Sequence, residues 1–173
     1  MGQRSVVESA GGRVPLFSVV GASNSGKSTL LIKLVQALKN RGYRVAVIKH
    51  SRNFEVDQPG KDSWRYRAVG AGPVILAGPE QMVLFRAWEK EWEPEEIAQS
   101  LTDVDLVITE GYKKGKRPKI EVFREDNSRE LICPPEDLIA VVSDVNKDWG
   151  VPVFDLEQIK ELADFVEARF LKR

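Results

Sequence analysis

The stretch that most constrains this chain is Gly21-Ala22-Ser23-Asn24-Ser25-Gly26-Lys27-Ser28-Thr29. Two glycines bracket four residues, and Lys-Ser follows, which is the P-loop pattern. The apolar run before it, Val14 to Val20, reads as a buried strand. The run after it, Leu30 to Leu38, carries apolar residues at helical spacing. A strand must therefore turn sharply into a helix here. Backbone N–H groups converge in such a turn, and the helix start adds its own unpaired N–H groups. An anion is the natural occupant. Lys27 would reach the β- and γ-phosphates of a nucleoside triphosphate, and Ser28 would put its hydroxyl on Mg²⁺.

Length and composition are those of one ordinary globular domain. The chain has 173 residues, enough for one domain with a real core, and 42% are hydrophobic. The 26 basic and 26 acidic residues cancel. That balance argues against nucleic acid as a partner. No apolar run approaches a membrane span, and the first residues lack the apolar core of a secretion signal. The single cysteine, Cys133, fits a reducing cytoplasm and has no companions for a zinc site.

Further along, the pattern alternates strand and helix. The spacing predicts a helix over 27–40 stopped by Gly42, then a strand over 43–49. This β–α–β opening implies a parallel sheet with a right-handed crossover. A helix over 62–69, with Asp62 or Ser63 capping its start, precedes short strands at 73–77 and 81–86. A short helix is expected over 94–101, then strands at 105–110, 119–123, 138–142 and 151–154, and a closing amphipathic helix over 156–171. The segments 73–77, 81–86 and 119–123 are candidates for antiparallel edge strands. Residues 1–12 read as a frayed end or an edge strand. The expected architecture is a mostly parallel sheet with helices on both faces, in one domain spanning 1–173.

Several residues are candidates for chemistry. Glu110 ends a strand and precedes Gly111; its carboxylate could hold Mg²⁺ or orient an attacking water. The alternative is a solvated acid at a strand end. Asp57 and Asp62 flank Pro59-Gly60-Lys61; a carboxylate here, Asp62 first, could complete the Mg²⁺ shell or read a substrate, and Gly60 would allow close backbone approach to a ligand, while the same residues would also make an ordinary turn and helix cap. His50 follows a strand directly and either faces a ligand or is a hydrogen-bonded neutral histidine. Lys113 opens a basic run through Lys119, which either binds substrate phosphates or forms a solvated loop. Ser143 and Asp144 end a buried strand. An aspartate there can accept from guanine N1 and N2 together, a donor pair adenine lacks; the alternative is a loop-start aspartate.

Taken together, the P-loop, Ile48-Lys49-His50, Asp57-x-Pro59-Gly60-Lys61-Asp62-Ser63, Arg67-x-x-Gly70-Ala71, Val107 to Lys113, Lys119 to Arg124 and Val141 to Asp144 occur in one order along nearly the whole chain. In this the chain resembles the molybdopterin-guanine dinucleotide biosynthesis protein B (MobB) family. The Pro-Gly-Lys-Asp-Ser block makes the likeness specific. The resemblance implies a GTP-binding protein with weak GTPase activity, a homodimer, and a partnership with the guanylyltransferase that attaches GMP to the molybdopterin cofactor. It also implies that Asp57, Lys61, Asp62 and His50 are site residues. The residues before Val14 extend beyond what the family pattern needs. Two other readings remain open: a P-loop small-molecule kinase, and a non-hydrolysing adaptor that uses nucleotide to fix its shape.

Overall fold

A computed structural model describes residues 13–51 and 53–172. The expected frayed end or edge strand over 1–12 lies outside the described residues. The chain divides into two compact units, one of Met1–His50 with Pro94–Arg173 and one of Ser51–Glu93.

The first unit is built on a six-stranded sheet. Its strands are β1 (Leu16–Gly21), β2 (Val45–Lys49), β5 (Leu106–Glu110), β6 (Lys119–Phe123), β7 (Leu138–Ser143) and β8 (Val153–Asp155). They lie in the order β2-β5-β1-β6-β7-β8, and every neighbouring pair is parallel. Parallel pairing follows from the crossover connections and brings all six carboxyl ends to one edge. The chain runs from β1 outward to β2 on one side, and β6, β7 and β8 extend the other side. The strand order therefore reverses beside β1, which is where open α/β sheets bind ligands.

One face of the sheet is apolar. Phe17, Val19, Leu106, Ile108, Ile120, Val122, Ala140 and Val142 meet α1 (Lys27–Asn40) and α4 (Ile159–Val166). The amphipathic spacing works as expected: Leu30, Leu31, Leu34 and Leu38 of α1 and Leu162 and Val166 of α4 are all buried. Each such side chain contributes roughly 1.5–3 kcal/mol. Phe170, in a last turn widened to π spacing over Glu167–Leu171, stacks on Phe17 with centroids 5.1 Å apart.

Arg41, just past α1, ties that helix to the end of α4. Its Nη1 lies 2.6 Å from Glu167 and 2.8 Å from Asp164. The hydrogen bond from Arg41 holds the Glu167 carboxyl below its ordinary range, against the opposing effect of burial. The folded value thus lies below the unfolded one. The stability contributed is present above the unfolded carboxylate value and is lost as pH falls through the folded value. Unfolding by urea across the acid range is expected to show this loss, and Glu167→Gln is expected to flatten it. An identical acid limb in the variant would remove Glu167 from the account.

The opposite face is partly polar yet buried. The Ser18 and Thr109 hydroxyls bond at 2.7 Å. Lys119 is fully buried, its ammonium donating to the Gly115 carbonyl at 2.6 Å and to Asp137 at 2.7 Å. Glu121 accepts from the backbone N–H groups of Ile132 at 2.7 Å and Cys133 at 3.0 Å. Val20, Phe123, Cys133, Leu138 and Val141 complete a second, smaller core. Burial pushes the Cys133 thiol up.

These pairings correct one expectation. The segment 119–123 is not an antiparallel edge strand: β6 is parallel and interior, between β1 and β7. Its Lys-Ile-Glu-Val-Phe alternation imitates a half-exposed strand because the polar side chains are buried against partners of their own.

In the second unit, β3 (Val74–Ala77) and β4 (Met82–Phe85) form an antiparallel pair, as a separate two-stranded sheet. α2 spans Asp62–Ala68. In the first unit, α3 is Pro94–Gln99. Among the described residues, no helix is long and apolar enough to cross a membrane.

Candidate functional site

Gly21 ends β1 in register with Val122 of β6, and α1 begins at Lys27. Gly26 caps that helix at φ +92°, a left-handed conformation that favours glycine. It brings no side-chain cap, and the first turn carries no acid. The helix start thus keeps its N–H groups for an outside acceptor. Lys27 Nζ donates to the Ala22 carbonyl at 2.5 Å, folding back over the loop. Ser25 is buried, and its hydroxyl has no hydrogen-bond partner among the described residues. Buried polar atoms of this kind are rare and need a reason.

β5, next to β1, supplies Glu110. The Ser28 hydroxyl donates to Glu110 Oε1 at 2.7 Å, and Lys49 at the end of β2 lies 3.6 Å from Oε2. Partial burial lowers the Lys27 ammonium below its ordinary value; Glu110 opposes this, while Lys113 and Lys49 add to it. Lys27 thus feels the charges of Lys49 and Lys113 beside the Glu110 carboxylate, an arrangement that favours incoming negative charge. The residues also fit Mg²⁺. That ion takes hard oxygen ligands, keeps several waters, and is commonly held by one carboxylate or hydroxyl plus phosphate oxygens. Ser28 and Glu110 already stand within hydrogen-bond distance of each other. Among the described residues, no group of three or more His, Cys, Asp or Glu side chains forms a protein-only metal cage.

Glu110 is followed by two residues with positive φ, Gly111 at +99° and Tyr112 at +53°. The turn is held by the Gly111 N–H on the Val19 carbonyl at 3.0 Å and the His50 N–H on the Glu110 carbonyl at 3.1 Å. The His50 ring packs on Tyr112, centroids 4.8 Å apart. His50 thus sits beside the Glu110 turn at the ligand edge, braced by an aromatic ring.

The basic run does not act as one surface. Arg117 is buried; its guanidinium clasps the Glu95 carboxylate at 2.9 and 3.1 Å and donates to the Lys114 carbonyl at 2.8 Å. Lys119 is internal, as described above. Lys113 is the member of the run whose charge bears on Lys27.

On the other side of the P-loop, β6 ends at Phe123 and a tight turn follows. The Asn127 side chain donates to the Ser23 carbonyl at 3.1 Å. Ser143, at the end of β7, uses its hydroxyl to accept from the Val145 N–H at 3.0 Å, closing the turn after the strand. Asp144 Oδ1 accepts from the Glu125 N–H at 3.2 Å, and Oδ2 lies 3.9 Å from Arg124 Nη1. Neither Asn127 nor Arg124 stood out by spacing: a lone Asn in a turn and an Arg at a strand end are ordinary.

Asp57, Gly60, Lys61 and Asp62 belong to the second unit. Asp57 accepts from the Ser63 hydroxyl at 2.8 Å and from the Gln58 N–H at 3.0 Å, and pairs with Arg67 at 3.4 Å. This carboxylate organises the start of α2 from outside the helix. The expected cap by Asp62 or Ser63 is not made. Lys61 holds the cap position without a side-chain bond, and Asp62 is the first helical residue. Gly60, Lys61 and Asp62 are exposed.

Comparison with known proteins agrees with this arrangement. The family described as molybdopterin guanine dinucleotide synthesis protein B matches residues 16–144. A Haemophilus influenzae molybdopterin-guanine dinucleotide biosynthesis adapter protein is 38% identical over 158 residues, covering 90% of this chain and 89% of the relative. The Escherichia coli K12 protein of the same name is 36% identical, covering 88% and 91%. The crystal structure of Bacillus subtilis MobB superposes with a TM-score of 0.74 at 25% identity, covering 92% of this chain and 99% of that one. With its P-loop, its Glu110 strand and five of the six strands of its parallel sheet inside the matched region, this chain belongs to the MobB family.

Proposed function

We propose that this protein is a GTP- and Mg²⁺-binding adapter in the synthesis of the molybdopterin guanine dinucleotide cofactor, with weak GTPase activity. The observation that carries the nucleotide part is the Ser28–Glu110 hydrogen bond beside Lys27, at the point where strand order reverses. The relatives' names support the pathway. Ser28 and Glu110 are the residues that would hold magnesium, whose charge would offset that of the phosphates. Lys27 would exchange the Ala22 carbonyl for a phosphate oxygen, and Glu110 would orient water at the terminal phosphate. Asp144, at the end of β7, is the residue to read guanine. Asp62, His50, Asp57, Gly60, Lys61 and Lys113 are proposed to face metal, cofactor or partner. The partner would be the guanylyltransferase that joins GMP to molybdopterin.

Self-association is part of the same reading. Ile75, Leu76, Met82, Val83 and Leu84 of the β3–β4 pair are all exposed. An isolated two-stranded sheet is marginal in water, and an exposed apolar patch of this kind marks an interaction surface. A homodimer covering it satisfies both demands.

The test is titration of GTP and ATP with and without Mg²⁺, alongside phosphate release and co-purification with the guanylyltransferase. GTP is expected to bind in preference to ATP and to be hydrolysed slowly. Absence of nucleotide binding would end this reading. Transfer of phosphate to a metabolite instead of water would favour a kinase. Glu110→Gln is expected to slow phosphate release about 100-fold, the scale of a lost proton-accepting group, and, because the same carboxylate is proposed to hold magnesium, to leave GTP affinity unchanged only in titrations without Mg²⁺. An unchanged rate would remove Glu110 from the hydrolytic step.

A further inference from the structure

The turn after β6 touches both ends of the nucleotide site proposed above. Asn127 holds the Ser23 carbonyl of the P-loop, and the Glu125 N–H holds Asp144. Between them stands Arg124. Its Nη2 is 3.7 Å from where a side chain on Gly26 would begin, so the guanidinium lies at the open start of α1. Its Nη1 reaches Asp144 Oδ2 at 3.9 Å, the outer limit of an ion pair. Both side chains are partly exposed, at 42% and 30%. A pair this long and this wet is weak. A polyphosphate at the start of α1 would compete for the same guanidinium with more charge and with better-directed acceptors.

We infer that Arg124 is a nucleotide-contacting residue that exchanges Asp144 for the polyphosphate, and that its departure frees the Asp144 carboxylate for the guanine base. Phosphate binding and base reading are thereby coupled through one side chain. Without nucleotide, Arg124 stands 3.9 Å from the carboxylate oxygen that Glu125 leaves open. With nucleotide, the guanidinium turns to phosphate and that oxygen can accept from guanine. The inference rests on the proposed nucleotide site and adds a residue to it.

Inorganic tripolyphosphate isolates the phosphate half of the exchange, because it has no base. Arg124→Ala is expected to weaken both GTP and tripolyphosphate by about tenfold or more, the scale of a charge-assisted hydrogen bond. Arg124→Lys is expected to recover part of this, since it keeps charge but not the fork. Asp144→Asn removes the competing carboxylate. It is expected to tighten tripolyphosphate roughly two- to fivefold, the scale of a surface ion pair, while weakening GTP. In the Arg124→Ala background, Asp144→Asn is expected to leave tripolyphosphate unchanged. Two results overturn the inference: wild-type affinity for tripolyphosphate in Arg124→Ala, or no tightening in Asp144→Asn. If Arg124→Ala fails to fold, the Asp144→Asn arm decides alone. Failure of the wild-type protein to bind either probe would instead overturn the nucleotide site itself.

Discussion

Lys27→Ala is expected to weaken triphosphate binding by about 2–5 kcal/mol, the range for removing one partner of a partly desolvated charge contact. The geometry supports a value well above that of a surface ion pair. The Lys27 ammonium is folded over the loop onto the Ala22 carbonyl, and burial with two neighbouring lysines already lowers its pKa. Desolvation has therefore been incurred before any ligand arrives. A polyphosphate would relieve the repulsion among Lys27, Lys49 and Lys113, and the alanine variant would lose that relief. Calorimetric titration with GTP at fixed ionic strength measures the change. Lys27→Arg is not expected to restore affinity, because a planar fork does not reproduce a compact ammonium. The folded state is expected to tolerate the change, since Lys27 makes its recorded bond within its own loop. Affinity equal to wild type would take the P-loop out of the functional account.

Much of the fold could be read from short-range patterns. α1 spans Lys27–Asn40, as the apolar period and Gly42 require. Strands β1, β2, β5, β7 and β8 fall where apolar runs end in polar or glycine residues. Glu110 could be placed because a carboxylate ends the strand beside β1. β6 was harder, because Lys119 and Glu121 earn their burial from Gly115, Asp137, Ile132 and Cys133, contacts that no local window contains. The same holds for Arg117, which reads as part of a solvated basic run until Glu95 is brought to it. Asp57 shows the limit from the other direction. Its position near a turn was visible, but not that Ser63, Gln58 and Arg67 would all converge on it. Arg124 and Asn127 matter because β6 lies beside β1, and pairing of strands distant in sequence is the least legible feature of a parallel sheet.

Gly21→Ala is expected to cost about 2–4 kcal/mol of stability and to impair nucleotide binding at the same time. A Cβ placed on Gly21 would lie 2.4 Å from the Val122 carbonyl oxygen and 2.8 Å from Ser25 Oγ. The first is backbone within the β1–β6 ladder and cannot swing aside, so the end of β1 must move. The φ of +150° adds strain for any residue with a side chain. Gly42→Ala provides the control: φ is +92°, yet nothing lies within 4 Å of its added Cβ. That variant is expected to lose only about 1 kcal/mol, from backbone strain alone. The difference between the two isolates the close approach of β6 to the P-loop. Displacing Gly21 also moves Ala22, whose carbonyl holds Lys27, and Ser25, whose hydroxyl lines the loop. Urea unfolding of both variants, with GTP titration of each, measures the two effects. Equal stability losses in the two variants would show that the contact with Val122 is relieved without cost, and that the glycine is needed for its conformation alone.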